Sequence, residues 1–255
     1  MGPFTSSRLK IERAEKHIAD IVSLVSAFTQ SDDFHSVSIE YNERQRTNHL
    51  RVEMLTSRFP GNDIALTIGE VLHNLRSALD LLWYQVVLEC NGAPTKWTRF
   101  PVRDTRQELI APLNGALEQK QISLGIRNFV LNDIKPYTTG NPFICGLDDL
   151  NIRDKHQLLI PVLQFMALVS VRLEDNKGLP ICVNQVWFMD ESGRIRLREA
   201  DDIRVIVKDK GHLTAAIMFD IGMPFQSEPV IVTLTRITEE VTRTVEAFEL
   251  LILCP

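Results

Sequence analysis

The sequence predicts an α+β fold: a helical, bundle-like core, an antiparallel β-sheet and a long C-terminal helix. Three observations carry this. Apolar residues recur at helical spacing through the first part of the chain. After residue 165, short runs rich in β-branched residues alternate with turn signals. From Ser227 a helical period returns and holds to Ile252. The reading is a single domain over 1–255, helix-rich over 1–165, strand-rich over 166–222 and closed by a helix over 228–253.

Each element has a local reason. Ile11, Ala14, Ile18, Ile21, Val25 and Phe28 fall on one helical face, and Thr5, Ser6 or Ser7 can cap its start. "VSIEY" and "HLRVEML" alternate apolar and polar residues, as strands do, around the exposed loop "NERQRTN". Asp63 can cap the next helix, and Asn91 and Gly92 stop it. "APTKWTRFPVRDT" reads as a loop. "RQELIAPLNGALEQK" and "LGIRNFVLNDI" read as short helices, and "KPYTTGNP" as a loop. "GLDDLNIRDKHQLLIPVLQF" has helical spacing up to Pro161, which ends or kinks it. "ALVSVRL", "NQVWFMD", "RIRLRE", "IRVIVK" and "LTAAIMF" suggest an antiparallel meander. The final segment opens with "VIVTLT", of strand propensity. Ser227 as cap and Pro229 in the first turn favour a helix.

Composition excludes some function classes. Lys and Arg number 28 against 33 Asp and Glu, so the chain is not a basic nucleic-acid coat. No apolar run approaches the about 20 residues that span a bilayer, so no membrane partner is expected. Cys90, Cys145, Cys182 and Cys254 form no CxxC pair and sit among apolar neighbours. They read as reduced thiols of a cytoplasmic protein rather than a zinc cluster. No Gly-rich phosphate loop, nucleophile elbow or HExxH is present. The apolar stripes of the two terminal helices favour intramolecular packing, hence a monomer over a homodimer.

The helix "GEVLHNLRSALDLLWYQ" carries an unusual polar stripe. At about 100° per residue, Glu70, His73, Asn74, Ser77, Asp80 and Tyr84 share one side, with Arg76 at its edge. Solvated faces favour Lys and Glu at i,i+4 spacing. This stripe has no Lys and reads instead as a hydrogen-bonding network or a site. A second cluster, "LNIRDKHQLL", supplies Asn151, Arg153, Asp154, Lys155 and His156. Neighbouring residues of a regular helix diverge by about 100°. Asp154, Lys155 and His156 therefore converge on one partner only at a helix start. An Arg and an Asp on an apolar helix are costly to bury alone, so the two clusters are expected to meet.

"HNLRSALDLL" followed by "NIRDKHQLL" resembles a family of uncharacterised bacterial cytosolic proteins. The opening "SRLKIERAEKHI", the "RFP" after the second helix and the long final helix share in the resemblance. His73, Asn74, Arg76, Ser77, Asp80, Asp154, Lys155 and His156 match its motif, and Leu81 departs from it where the pattern has His. The resemblance implies no activity. A looser one is to the HEPN helical domains, several of which are metal-independent ribonucleases. "RDKH" has their Arg and polar residue but a shorter spacing to His, and "HNLR" reverses the order.

The first functional reading is a binding or assembly module, cofactor-free, whose His/Arg/Asp network joins two helices. RNA or a phosphate-bearing ligand is the partner that its Arg and Lys would suit. One alternative is a HEPN-like ribonuclease, with His73 and His156 as proton-transfer pair, Arg76 and Lys155 on the phosphate, and Asp80 or Asp154 orienting an imidazole. The other is a bundle metal site at Glu70 and His73, the spacing of Glu-x-x-His.

Overall fold

The computed structural model describes residues 2–31, 34–54, 59–96, 98–182, 194–197, 200–201 and 203–253. The expected strand "NQVWFMD", the "DESG" turn after it, Trp97, Trp187 and Cys254 lie outside them. The fold is α+β, with a long C-terminal helix. Backbone contacts divide it into two compact units. One comprises Met1–Val22, Gly61–Pro161 and Phe219–Pro255, the other Ser23–Pro60 and Val162–Met218.

The first unit is helical. It holds the N-terminal part of α1 (Thr5–Thr29), with α2 (Gly61–Glu89), α3 (Arg106–Glu118), α4 (Leu124–Phe129), α5 (Pro142–Asp154) and α6 (Val230–Leu253). Helix α2 is the axis. Ile68, Val71, Leu72, Leu75, Ala78, Leu79, Leu82 and Val86 lose all contact with water, and α5 and α6 pack on it. Along α6, Val230, Leu234, Ile237, Val241, Val245 and Phe248 are buried, the period seen in the sequence. Burying that stripe overrides the strand propensity of "VIVTLT". Trp83, Phe100, Phe129 and Phe248 close the core edge-to-face, at ring separations of 5.1 to 6.3 Å.

Local chemistry sets the helix ends. Asn91 takes the left-handed conformation (φ 57°) after α2. The Gly92 N–H donates to the Val87 carbonyl and the Asn91 N–H to that of Leu88, which is a Schellman cap. A capping box closes the start of α3, where Thr105 accepts from the Glu108 N–H and Glu108 accepts from the Thr105 N–H. α4 runs into a π-helical turn, Val130–Ile134, that ends at Lys135 in a left-handed conformation (φ 53°). Helix α5 starts earlier than the sequence suggested, at Pro142, because Asn141 caps it and Pro suits a first helical position. It also stops early, at Asp154, short of Pro161. Pro161 disfavours helix at the residue before it, and the chain must extend to enter the strand at Val162.

The second unit holds the strands, all paired antiparallel, in three small sheets among the described residues rather than one meander. Strands β1 (His35–Asn42), β2 (Thr47–Met54) and β6 (Arg194–Leu197) lie in the order β1-β2-β6. Strand β3 (Val162–Val169) pairs with β8 (His212–Met218). Strands β5 (Pro180–Cys182), β4 (Arg172–Asp175) and β7 (Val205–Asp209) form the third sheet, in that order. The run "ALVSVRL" is therefore two strands. Ser170, at φ 60°, breaks it, and the halves join different sheets. Phe34, Leu50, Leu168, Val171, Leu173 and Leu213 build the core of this unit.

Asn91 sets the first prediction. An L-residue without a polar side chain is disfavoured at positive φ. Asn91→Ala should cost about 1 kcal/mol in urea unfolding, and Asn91→Gly should cost nothing.

Candidate functional site

The helical unit contains a cavity of about 720 Å³, bounded by α2, α3, α5 and the extended segment 98–103. Helix α2 contributes His73, Arg76, Ser77, Asp80 and Trp83, spaced to lie on one side. Helix α5 contributes Asp148, Asn151 and Ile152, and the residue that caps its end contributes Lys155, on the same rule. The wall from α3 is apolar: Pro112, Leu113 and Ala116.

Arg76 organises this site. Its Nε donates to Asp148 Oδ1 at 2.7 Å, joining α2 to α5. Its Nη2 donates to the Phe100 carbonyl at 3.0 Å, joining α2 to the extended segment. Its Nη1 lies 2.8 Å from Asp80 Oδ1, an ion pair lacking the alignment of a hydrogen bond. Asp80 also accepts the Phe100 N–H at 2.9 Å. Burial pushes the Asp80 carboxyl above its ordinary value, and Arg76, the Phe100 N–H and Arg99 pull the other way.

Two features position α5. At its start, Asn141 accepts from the Ile144 N–H and donates to the Ile134 carbonyl and to Glu240 of α6, the last at 2.7 Å. At its end, the Asp154 carboxylate rests on Gly69 of α2. A methyl group on Gly69 would lie 2.5 Å from Asp154 Oδ2. The residue pairs Arg76 with Asp148 and Gly69 with Asp154 show that α5 runs antiparallel to α2. Asn151 is therefore opposite the region of His73. Burial raises the Asp154 carboxyl above its ordinary value. The neighbouring Glu70 charge adds to this, and His73 opposes it.

The two polar clusters of the sequence thus share one cavity, but only in part. His73, Arg76, Ser77, Asp80 and Lys155 line it. Glu70 is exposed beside Asp154. Asn74 turns to the opposite flank, donating to the Glu70 carbonyl at 2.8 Å and accepting from Lys10 of α1 at 3.0 Å. Arg153 pairs with Asp149 and donates to the Gly222 carbonyl. His156 is exposed in the turn after α5 and does not line the cavity. The Asp-Lys-His triplet falls at a helix end rather than a start, and its side chains diverge as a helix requires.

Sequence reasoning passed over Asp148, Asn151 as a lining residue, Arg99 and Arg103. Asp148 and Asn151 were legible as residues seven and four before Lys155, on the same helical face. Arg99 and Arg103 sit in an extended loop with no period. Cys145, beside the site, is a poor nucleophile. Its thiol is pushed up to about 12, by burial first and then by Asp148 and Asp104. Cys90 and Cys145 are both free thiols. Among the described residues no three His, Cys, Asp or Glu side chains come together that could hold a metal ion, so Glu70 and His73 gain no third ligand.

No protein-family model, no curated protein and no solved structure matches the chain.

Two predictions follow from this geometry. Arg76→Met leaves Asp80 and Asp148 partly buried and unpaired, and should cost about 1–3 kcal/mol in denaturant unfolding. Asp80→Asn in that background should recover part of the loss. The second concerns Asp154. Because its carboxyl is raised in the folded state, folding favours the protonated form. Its contribution to stability therefore falls as pH rises from the ordinary value of 3.8 through the raised one. Asp154→Asn should flatten the thermal-stability profile across that window.

Proposed function

We propose that the helical unit is a binding module for a phosphate-bearing ligand, held in the cavity between α2, α3 and α5. One observation carries this reading: the cavity has a surplus of cations in a protein with a surplus of acids. Arg76, Arg99, Arg103 and Lys155 line it against Asp80 and Asp148. The whole chain has 28 basic and 33 acidic residues. Both lining carboxylates are already engaged, by Arg76 and by the Phe100 N–H. Arg99, Lys155 and His73 make no hydrogen bond or ion pair among the described residues. The surplus of two positive charges matches a phosphate monoester, which carries about −1.5 to −2 at neutral pH. Guanidinium and ammonium groups are the side chains that bind such an anion.

Binding fits this set of residues better than ribonuclease chemistry. Cleavage of RNA by a histidine pair needs His73 and His156 on one substrate, and only His73 faces the cavity.

Calorimetric titration with inorganic phosphate tests the proposal, with sodium chloride at matched ionic strength as control. Saturable heat is expected with phosphate alone, weakening as salt is added. Arg99→Ala combined with Lys155→Ala should lower the affinity about tenfold or more, which is about 1.4 kcal/mol. Equal responses to phosphate and chloride would sink the proposal.

A further inference from the structure

The cavity contains one group that an anion alone does not explain. Asn151 is 6% exposed, and its residual exposure opens onto the cavity it lines. Its side chain makes no hydrogen bond among the described residues. The same unit satisfies its other buried amides. Asn74 both donates and accepts, and so does Asn141. The Asn151 amide is not among the fully buried unpaired groups and so keeps contact with solvent; a ligand that displaces that solvent must supply a donor and an acceptor in its place.

We infer that the ligand is of the nucleotide class, a small phosphate ester whose heterocyclic edge pairs with the Asn151 amide. This rests on the phosphate-binding reading and adds to it the chemistry of the other half of the ligand. A primary amide presents a donor and an acceptor side by side in one plane. A single partner that meets both must present an acceptor and a donor side by side, as a nucleobase edge does. Sugar hydroxyls can meet each atom but lack that fixed plane. The wall of Pro112, Leu113 and Ala116 provides apolar surface for the flat face of a ring. Lys155, one helical turn from Asn151, and His73, across from it on α2, place cationic and polar donors where the phosphate end would lie. The volume of about 720 Å³ is within the range of pockets that hold a small organic ligand.

The test is a set of titrations of the full chain with inorganic phosphate, ribose 5-phosphate and the four ribonucleoside 5′-monophosphates. At least one nucleotide should bind about tenfold more tightly than ribose 5-phosphate, the discrimination of one two-point pair. In Asn151→Leu and Asn151→Ser that preference should fall to about onefold. The affinity for inorganic phosphate should stay unchanged in both, which also reports that each variant is folded. Ribose 5-phosphate binding as tightly as every nucleotide would overturn the inference, and so would a preference that survives in both variants. If no phosphate compound binds, the preceding proposal fails and this one with it. If phosphate and ribose 5-phosphate bind without base preference, this inference alone fails.

Discussion

A guanidinium that leaves water must find its hydrogen bonds elsewhere, and Arg76 finds them on two other parts of the chain. Its side chain is 11% exposed. One edge meets Asp148 on α5 and the other the carbonyl of Phe100, while Asp80 answers both Arg76 and the Phe100 N–H. Three groups from three segments are thereby fixed by one side chain. The rigid fork of the guanidinium matters here, because a lysine at the same place could not hold two acceptors in set directions. The position of α5 against α2 follows, and with it the side of α5 that faces the cavity.

That arrangement separates the charges of the site into two groups. Asp80 and Asp148 are held by Arg76 and the backbone. Lys155, Arg99 and His73 have no such fixed partners among the described residues. Buried polar atoms as a rule have partners, whereas these three side chains are exposed, so solvent serves them and they stay available to a ligand. The opposite flank of α2 shows the rule obeyed, where Asn74 closes against Glu70 and Lys10. Along a single helix, then, one edge is closed and the other faces a cavity with polar groups to spare.

Much of this was written in the sequence, and the rest was not for definable reasons. The 3.6-residue period marked the long helices, and the left-handed preference of Asn placed the end of α2 at Asn91. Periodicity cannot rank the positions within a polar stripe. Asn74 and Arg76 lie at opposite edges of the stripe on α2, and only the neighbours decide that one meets Lys10 and the other Asp148. The "LIPVL" run kept a helical pattern, but Pro161 and the strand after it required extended backbone. Pairing between distant strands was beyond the sequence: β2 joins β6 and β3 joins β8 across long stretches of chain. Local alternation announces a strand without naming its partner.

The residues at the cavity also explain why binding is the better-supported use of this geometry than turnover. General acid–base chemistry needs groups that exchange protons near the working pH and reach the same bond. Asp80 and Asp148 are tied into the Arg76 network. The Cys145 thiol, near 12, stays protonated. His73 is the one histidine among the lining residues, and His156 is on the exposed turn. What the cavity has in quantity is fixed charge and directed hydrogen-bond donors. Such groups recognise an anion and hold it; without a second proton carrier they give little help in breaking its bonds.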